Sequence, residues 1–121
     1  MAKNVKILIV DDEDNARTTL SDILKEYGYQ TFEAKTGKEA IEIASKEKPQ
    51  VVLLDTVMSG IDGYETCRRM KSNKSIETNV IIFTGKVDAV DAFKAREAGA
   101  DDYCVKTEDF EKLLEAIKKF I

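Results

Sequence analysis

Two adjacent aspartates, Asp11 and Asp12, close an aliphatic run in "ILIVDDEDN". Asp55 closes a second run in "LLDTVMSGIDG", Thr84 and Gly85 close a third in "VIIFTG", and Lys106 follows "DYCV". If these runs are strands of one parallel sheet, all of these side chains lie along a single edge. Three carboxylates gathered there repel one another, because like charges in partly buried sites cost free energy unless something positive intervenes. The chain itself offers Lys106. Carboxylate oxygens with positions left open for water and phosphate also suit Mg2+, which commonly uses only one or two protein carboxylates. A cation on one side of Asp55, the Lys106 ammonium on the other and the Thr84 hydroxyl nearby would neutralise a phosphoryl group in transit. Asp55 would then be the nucleophile and form an aspartyl phosphate, with Gly85 keeping the approach open. Taken singly, an acid after a strand is ordinarily a turn former or a helix cap, and Glu13 and Asp14 fit that plainer role in the first turn of a helix. The conjunction of suitable residue types at four strand ends is what indicates a site.

The elements that must position these residues follow from hydrophobic periodicity. "VKILIV" (5–10), "VVLL" (51–54) and "VIIF" (80–83) are short, rich in β-branched residues and nearly unbroken, as strands covered on both faces are. "YQTFEA" (29–34) and "DYCV" (102–105) complete a set of five by position. Between them lie helical patterns. Ala16, Leu20, Ile23, Leu24 and Tyr27 repeat at helical spacing before Gly28, and Thr36 with Glu39 in "TGKE" opens a second helix at capping-box spacing, followed by Ala40, Ile41 and Ala44. A third helix, from about Gly63 to Ser72, carries Tyr64, Cys67 and Met70, and a fourth runs from about Val87 to Ala98. In the last, Phe110, Leu113, Leu114, Ile117 and Ile121 follow the 3.6-residue period, with Lys118 and Lys119 at the negative end of its dipole. The string is βα repeated five times, an α/β architecture with a doubly wound parallel sheet. In such sheets ligands bind outside the carboxyl ends of the strands.

Composition bounds what this domain does. The 121 residues are 43% hydrophobic and 35% charged, which suits one compact soluble domain without linkers or repeats. A net charge of −4 gives no overall attraction to a nucleic-acid backbone, so direct nucleic-acid binding by this segment is not expected. No apolar run approaches the roughly 20 residues of a membrane helix, and "MAKNVK" lacks the apolar stretch of a signal peptide, so the expected location is cytoplasmic. Cys67 and Cys104 form no CxxC and the chain has no histidine, which makes them small core residues of a reducing compartment rather than zinc ligands.

With those motifs in place, "ILIVDDED", "VVLLDTVMSGIDGYE", "VIIFTG" and "GADDYCVK" together closely resemble the receiver domain of two-component response regulators, over essentially the whole chain. The resemblance implies a single flavodoxin-like (βα)5 domain over residues 1–121 with strand order 2-1-3-4-5, similar to single-domain chemotaxis-type regulators. It implies that Asp55 accepts a phosphoryl group from a histidine kinase or a phosphotransfer domain. Asp12 would bind Mg2+ directly, Asp11 partly through water, and the Val57 backbone carbonyl would add a ligand. Thr84 would move to bond the phosphoryl group, Lys106 would pair with another of its oxygens, and Tyr103 would turn inward once Thr84 moves. The output face for a downstream effector would be the fourth helix, fifth strand and fifth helix.

Three departures from the family pattern carry consequences. Thr107 stands where the family usually has proline after the lysine, often with a cis bond. That bond before a non-proline residue costs roughly 3 kcal/mol, so here it is either trans, with a changed loop, or strained. Thr107 also suits an N-cap for the last helix, with Glu108 and Asp109 in its first turn. Ser59 replaces a common proline, which loosens the loop after Asp55. Val57 offers no side-chain hydrogen bond to an attacking water and Lys86 could shield the phosphoryl group, which together point to slow hydrolysis.

Among other functions, a haloacid-dehalogenase-type enzyme would need an acid at Val57. A flavodoxin-like cofactor site would need donors rather than "DDEDN", and a Walker-type site would need GxxxxGK. The remaining alternative is a receiver-like interaction module that works without phosphorylation.

Overall fold

The computed structural model describes residues 5–58, 60–85, 89–106 and 109–121. Among these, ten elements alternate: β1 (Lys6–Val10), α1 (Asp14–Glu26), β2 (Gln30–Ala34), α2 (Gly37–Glu47), β3 (Val51–Leu54), α3 (Gly63–Ser72), β4 (Asn79–Thr84), α4 (Ala89–Glu97), β5 (Asp102–Val105) and α5 (Phe110–Lys118). The strands form one parallel sheet in the order β2-β1-β3-β4-β5, the flavodoxin-like arrangement expected from the sequence. Strand order reverses between β1 and β3, so the binding crevice belongs above their carboxyl ends.

Successive residues of the central strands face opposite layers, as the two-residue strand period requires. Leu8, Val10, Val52, Leu54, Val80 and Ile82 pack against Ala40 and Ala44 of α2 and Cys67 and Met70 of α3. Ile7, Ile9, Val51, Leu53 and Ile81 pack the other way, against Leu24 of α1 and Leu113, Leu114 and Ile117 of α5. Both faces are covered, which is why these strands have no polar alternation. The edge strands β2 and β5 are only partly buried, and their sequences are correspondingly mixed.

The helix ends follow their capping chemistry. The Glu13 carboxylate accepts from the Ala16 amide at 2.7 Å, and the Thr36 hydroxyl accepts from the Glu39 amide at 3.1 Å. Glu39 returns a bond to the Lys35 amide, one residue before the expected capping-box partner. Gly28, at φ +93°, takes the left-handed turn that closes α1, a conformation side chains rarely adopt.

Three sequence expectations are corrected. The face of α1 that is buried is Arg17, Ser21 and Leu24, whereas Ala16 and Tyr27 are exposed and Leu20 and Ile23 half-buried. The helix lies beside the polar edge strand, where Glu33 bonds Arg17 and Thr31 bonds Ser21 at 2.7 Å, so polar residues can be buried there. The N-cap of α5 is Asp109, whose carboxylate accepts from the Glu111 amide at 3.3 Å; the expected cap, Thr107, lies outside the described residues, as do Glu108, Ser59, Lys86 and Val87. Ile121 lies beyond α5 and is 49% exposed rather than part of its apolar stripe.

Both cysteines are buried thiols. Burial pushes the Cys67 thiol up to about 11, and its Sγ lies 3.5 Å from the Ala98 carbonyl oxygen. A thiol so far from ionisation is a poor nucleophile at neutral pH. The folded protein is therefore expected to react with N-ethylmaleimide far more slowly than the denatured chain at pH 7. Equal labelling rates, followed by mass, would contradict this placement.

Candidate functional site

The residues singled out from sequence meet at the carboxyl edge of the sheet because the strand ladder continues past the strands. The Asp11 amide donates to the Ala34 carbonyl at 3.1 Å, the Asp55 amide to Val10 at 3.0 Å and the Lys106 amide to Thr84 at 2.7 Å. Each side chain is thus anchored to the last residue of a neighbouring strand.

One carboxylate oxygen from each of Asp11, Asp12 and Asp55 lies within 4.8 Å of the other two. Asp11 is buried, Asp55 half-buried and Asp12 exposed, so the cluster has a closed side and a side open to solvent. The Lys106 ammonium donates to Asp11 Oδ2 at 2.8 Å and to Asp55 Oδ2 at 3.4 Å. The Glu13 amide holds Asp11 Oδ1 at 3.0 Å, and the Thr56 amide holds Asp55 Oδ1 at 2.8 Å.

Burial raises the Asp55 carboxyl above the ordinary aspartate range; the Lys106 charge opposes that rise and the Asp11 charge adds to it. For Lys106, burial alone would favour the neutral amine, but the hydrogen bond to Asp11 and the charges of Asp55 and Asp11 outweigh it and raise its pKa.

The donor set fits a hard divalent cation. When ionised, three carboxylates and one ammonium leave two negative charges uncompensated. Octahedral coordination by Mg2+ puts ligand oxygens roughly 3 to 4 Å apart, a spacing these oxygens reach with small side-chain adjustments.

Residues 7–118 match the family described as the response regulator receiver domain. The chain belongs to that family. It is similar to the sporulation initiation phosphotransferase F of Bacillus subtilis, 37% identical over 119 residues that cover 98% of this chain and 94% of that one. Protein PilH of Pseudomonas aeruginosa is 38% identical over 115 residues, 93% of each chain. Among solved structures, the response regulator TrrA of Thermotoga maritima in complex with Mg2+-BeF superposes with a TM-score of 0.86 at 33% identity, over 97% of this chain and 99% of that one.

The other residues expected from the sequence lie on or just after β3, β4 and β5. Thr84, the last residue of β4, is buried with its hydroxyl 3.0 Å from that of Thr56. Lys106 reaches the carboxylates with threonine following it in place of proline. Val57 is 60% exposed, and its amide makes a long 3.5 Å contact with Asp55 Oδ1. Tyr103 is half-buried on β5, packed against the core cluster. It lines a cavity of about 260 Å³ with Ala92, Ala95, Arg96 and Ala100.

Three residues at this edge escaped the sequence reading. Thr56 bonds both Asp55 and Thr84; its only signal was a hydroxyl directly after the central aspartate. Arg17 is buried and donates to the Asp11 carbonyl at 3.0 Å, to Glu33 at 2.9 Å and to Asp14 at 2.8 Å. Burial works against its charge, but the bonds to Asp14 and Glu33 more than compensate. A basic residue at helical spacing from Ser21 and Leu24 was that signal. The third is Gly63, whose amide closes the loop by donating to the Thr56 carbonyl at 3.1 Å. A Cβ there would strike the Asp55 carbonyl oxygen and come within 2.7 Å of the Thr56 Cα.

Gly63→Ala must therefore push α3 away from the site loop. A cost of about 1–3 kcal/mol is expected, measured by urea denaturation, and an unchanged midpoint would show that the loop is not packed this tightly. A second expectation concerns Asp55. Because its folded pKa is raised, the unfolded chain releases this proton first as pH climbs past about 3.9, and folded stability falls until the folded carboxyl has ionised too. In metal-free buffer Asp55→Asn should melt above wild type at pH 7, with the gap closing on acidification below that range. A lower melting temperature for the variant at pH 7 would contradict this account.

Proposed function

We propose that this chain is a single receiver domain that takes a phosphoryl group onto Asp55 from a phosphohistidine of a sensor kinase or phosphotransfer protein. Receiver domains are signalling domains of two-component systems rather than conventional enzymes. The observation that carries the proposal is the convergence of Asp11, Asp12, Asp55 and Lys106 on one point at the sheet edge.

The residues divide the work. Asp55 Oδ1 is held by the Thr56 amide, which leaves Oδ2 to attack phosphorus. The O–P bond forms as the P–N bond breaks, and the electron pair leaves with the donor imidazole. Asp11, Asp12, Asp55 and the Val57 carbonyl would hold Mg2+, which supplies positive charge to the phosphoryl oxygens when bound. The Lys106 ammonium, already within reach of Asp55, pairs with another phosphoryl oxygen. Thr84 turns its hydroxyl to a third, and Tyr103 moves toward the space Thr84 vacates. The cavity beside Tyr103, and Phe93 of α4 at 60% exposure, support an effector face built from α4, β5 and α5.

A cytoplasmic setting suits two reduced cysteines. No helix among the described residues is long and apolar enough to cross a membrane. The net charge of −4 argues against direct nucleic-acid contact.

Incubation with acetyl phosphate should add the mass of one phosphoryl group, dependent on Mg2+ and absent in Asp55→Asn. No mass gain would favour an interaction module that works without phosphorylation. With Val57 offering no hydrogen bond to an attacking water, the phosphoryl group is expected to persist for minutes. Loss within seconds in Mg2+ would reject that lifetime while leaving the phosphoacceptor assignment intact.

A further inference from the structure

Thr56 touches both ends of the proposed switch. Its amide holds the Asp55 carboxylate at 2.8 Å and its hydroxyl lies 3.0 Å from the Thr84 hydroxyl. Both threonines are buried, at 5% and 1% exposure, so water does not readily replace either partner. The Thr56 backbone cannot follow Thr84 if Thr84 moves. Its carbonyl is tied to the Gly63 amide at 3.1 Å, and α3 presses so closely that Gly63 has no room for a side chain.

We propose that Thr56 is a positioning residue that latches Thr84 in its resting orientation. This rests on the reading that Thr84 bonds the phosphoryl group. The hydroxyl bond across the ends of β3 and β4 then competes with the phosphoryl oxygen for Thr84, and it stabilises the resting arrangement alone. A ligand that selects the switched arrangement binds with an affinity reduced by the fraction of molecules in which that arrangement is available. Removing the latch raises that fraction, so the variant takes a phosphoryl analogue more tightly than wild type. The same bond links the phosphoacceptor loop to the end of β4 directly, without passing through the acidic cluster.

Two variants separate the hydroxyl from the shape of the side chain. Thr56→Val keeps the branched volume and deletes the hydroxyl, while Thr56→Ser keeps the hydroxyl. The first measurement is made on the free protein: three-bond couplings to the Thr84 methyl group, which report its χ1 populations. Wild type and Thr56→Ser should each show the same dominant rotamer, and Thr56→Val should show a smaller share of it. The second is titration with beryllofluoride in Mg2+, followed by amide chemical shifts. Losing one net hydrogen bond from the resting state should tighten Thr56→Val by about two- to tenfold, with Thr56→Ser near wild type. Thermal melts of both variants check that each is folded. An unchanged Thr84 rotamer in Thr56→Val overturns the latch, and so does unchanged or weaker beryllofluoride binding. If wild type takes up neither acetyl phosphate nor beryllofluoride, the phosphorylation reading fails, and the rotamer measurement still decides whether Thr56 holds Thr84.

Discussion

Like-charge repulsion at the carboxyl edge of the sheet is the constraint around which the rest is arranged. Carboxylates within 4.8 Å of one another separate unless held, and the main chain holds them. Asp11 is tied to β2, Asp55 to β1 and Lys106 to β4 by backbone bonds that extend the ladder one residue beyond the strands. The apolar layers on both faces make those strands rigid, so hydrophobic burial keeps an electrostatically unfavourable group of side chains in place. Lys106 neutralises part of the charge, and Arg17 bonds the Asp11 carbonyl from behind without touching the cluster's oxygens.

The loops are built to the same end. The loop after β3 is closed by the Gly63 amide on the Thr56 carbonyl, and the Asp62 carboxylate caps α3 at 2.9 Å from the Glu65 amide. A capped helix whose bare first residue, Gly63, presses on the Asp55 carbonyl and the Thr56 Cα leaves Asp55 little freedom in its backbone. The loop after β1 uses Asp11 itself, whose Oδ1 bonds the Glu13 amide while Glu13 caps α1. The acids of "DDEDN" thus divide the work: Asp11 and Asp12 join the cluster, Glu13 caps, and Asp14 pairs with Arg17.

Legibility in the sequence followed burial. β3 and α3 begin and end where their patterns place them, because Val51–Leu54 is buried on both sides and α3 starts at a capping aspartate. The convergence of Asp11, Asp12, Asp55 and Lys106 was readable because charged residues directly after buried apolar runs stand out against the strands they end. The buried face of α1 was misread because periodicity counts apolar residues, while Arg17 and Ser21 are buried through partners on β1 and β2 that lie distant in sequence. Thr56 and Gly63 were unreadable for a related reason. One matters through a hydroxyl 28 residues away and the other through the absence of a side chain against a neighbouring backbone.

The arrangement separates two electrostatic tasks that a single rigid site could not both perform. At rest, Lys106 lies nearer to Asp11 than to Asp55, by 2.8 against 3.4 Å. On the proposed reading, a phosphoryl group on Asp55 brings new negative charge to the side of the ammonium that is less tightly engaged. Lys106 then changes partners without changing its anchor, because its backbone bond to Thr84 is independent of its side chain. Since Thr84 carries both that carbonyl and the hydroxyl facing Thr56, the strand end that fixes the lysine is also the one that must register the phosphoryl group. On that reading charge sensing and conformational output share one residue, and a hydroxyl bond between two buried threonines is a weak enough restraint for a charged ligand to overcome.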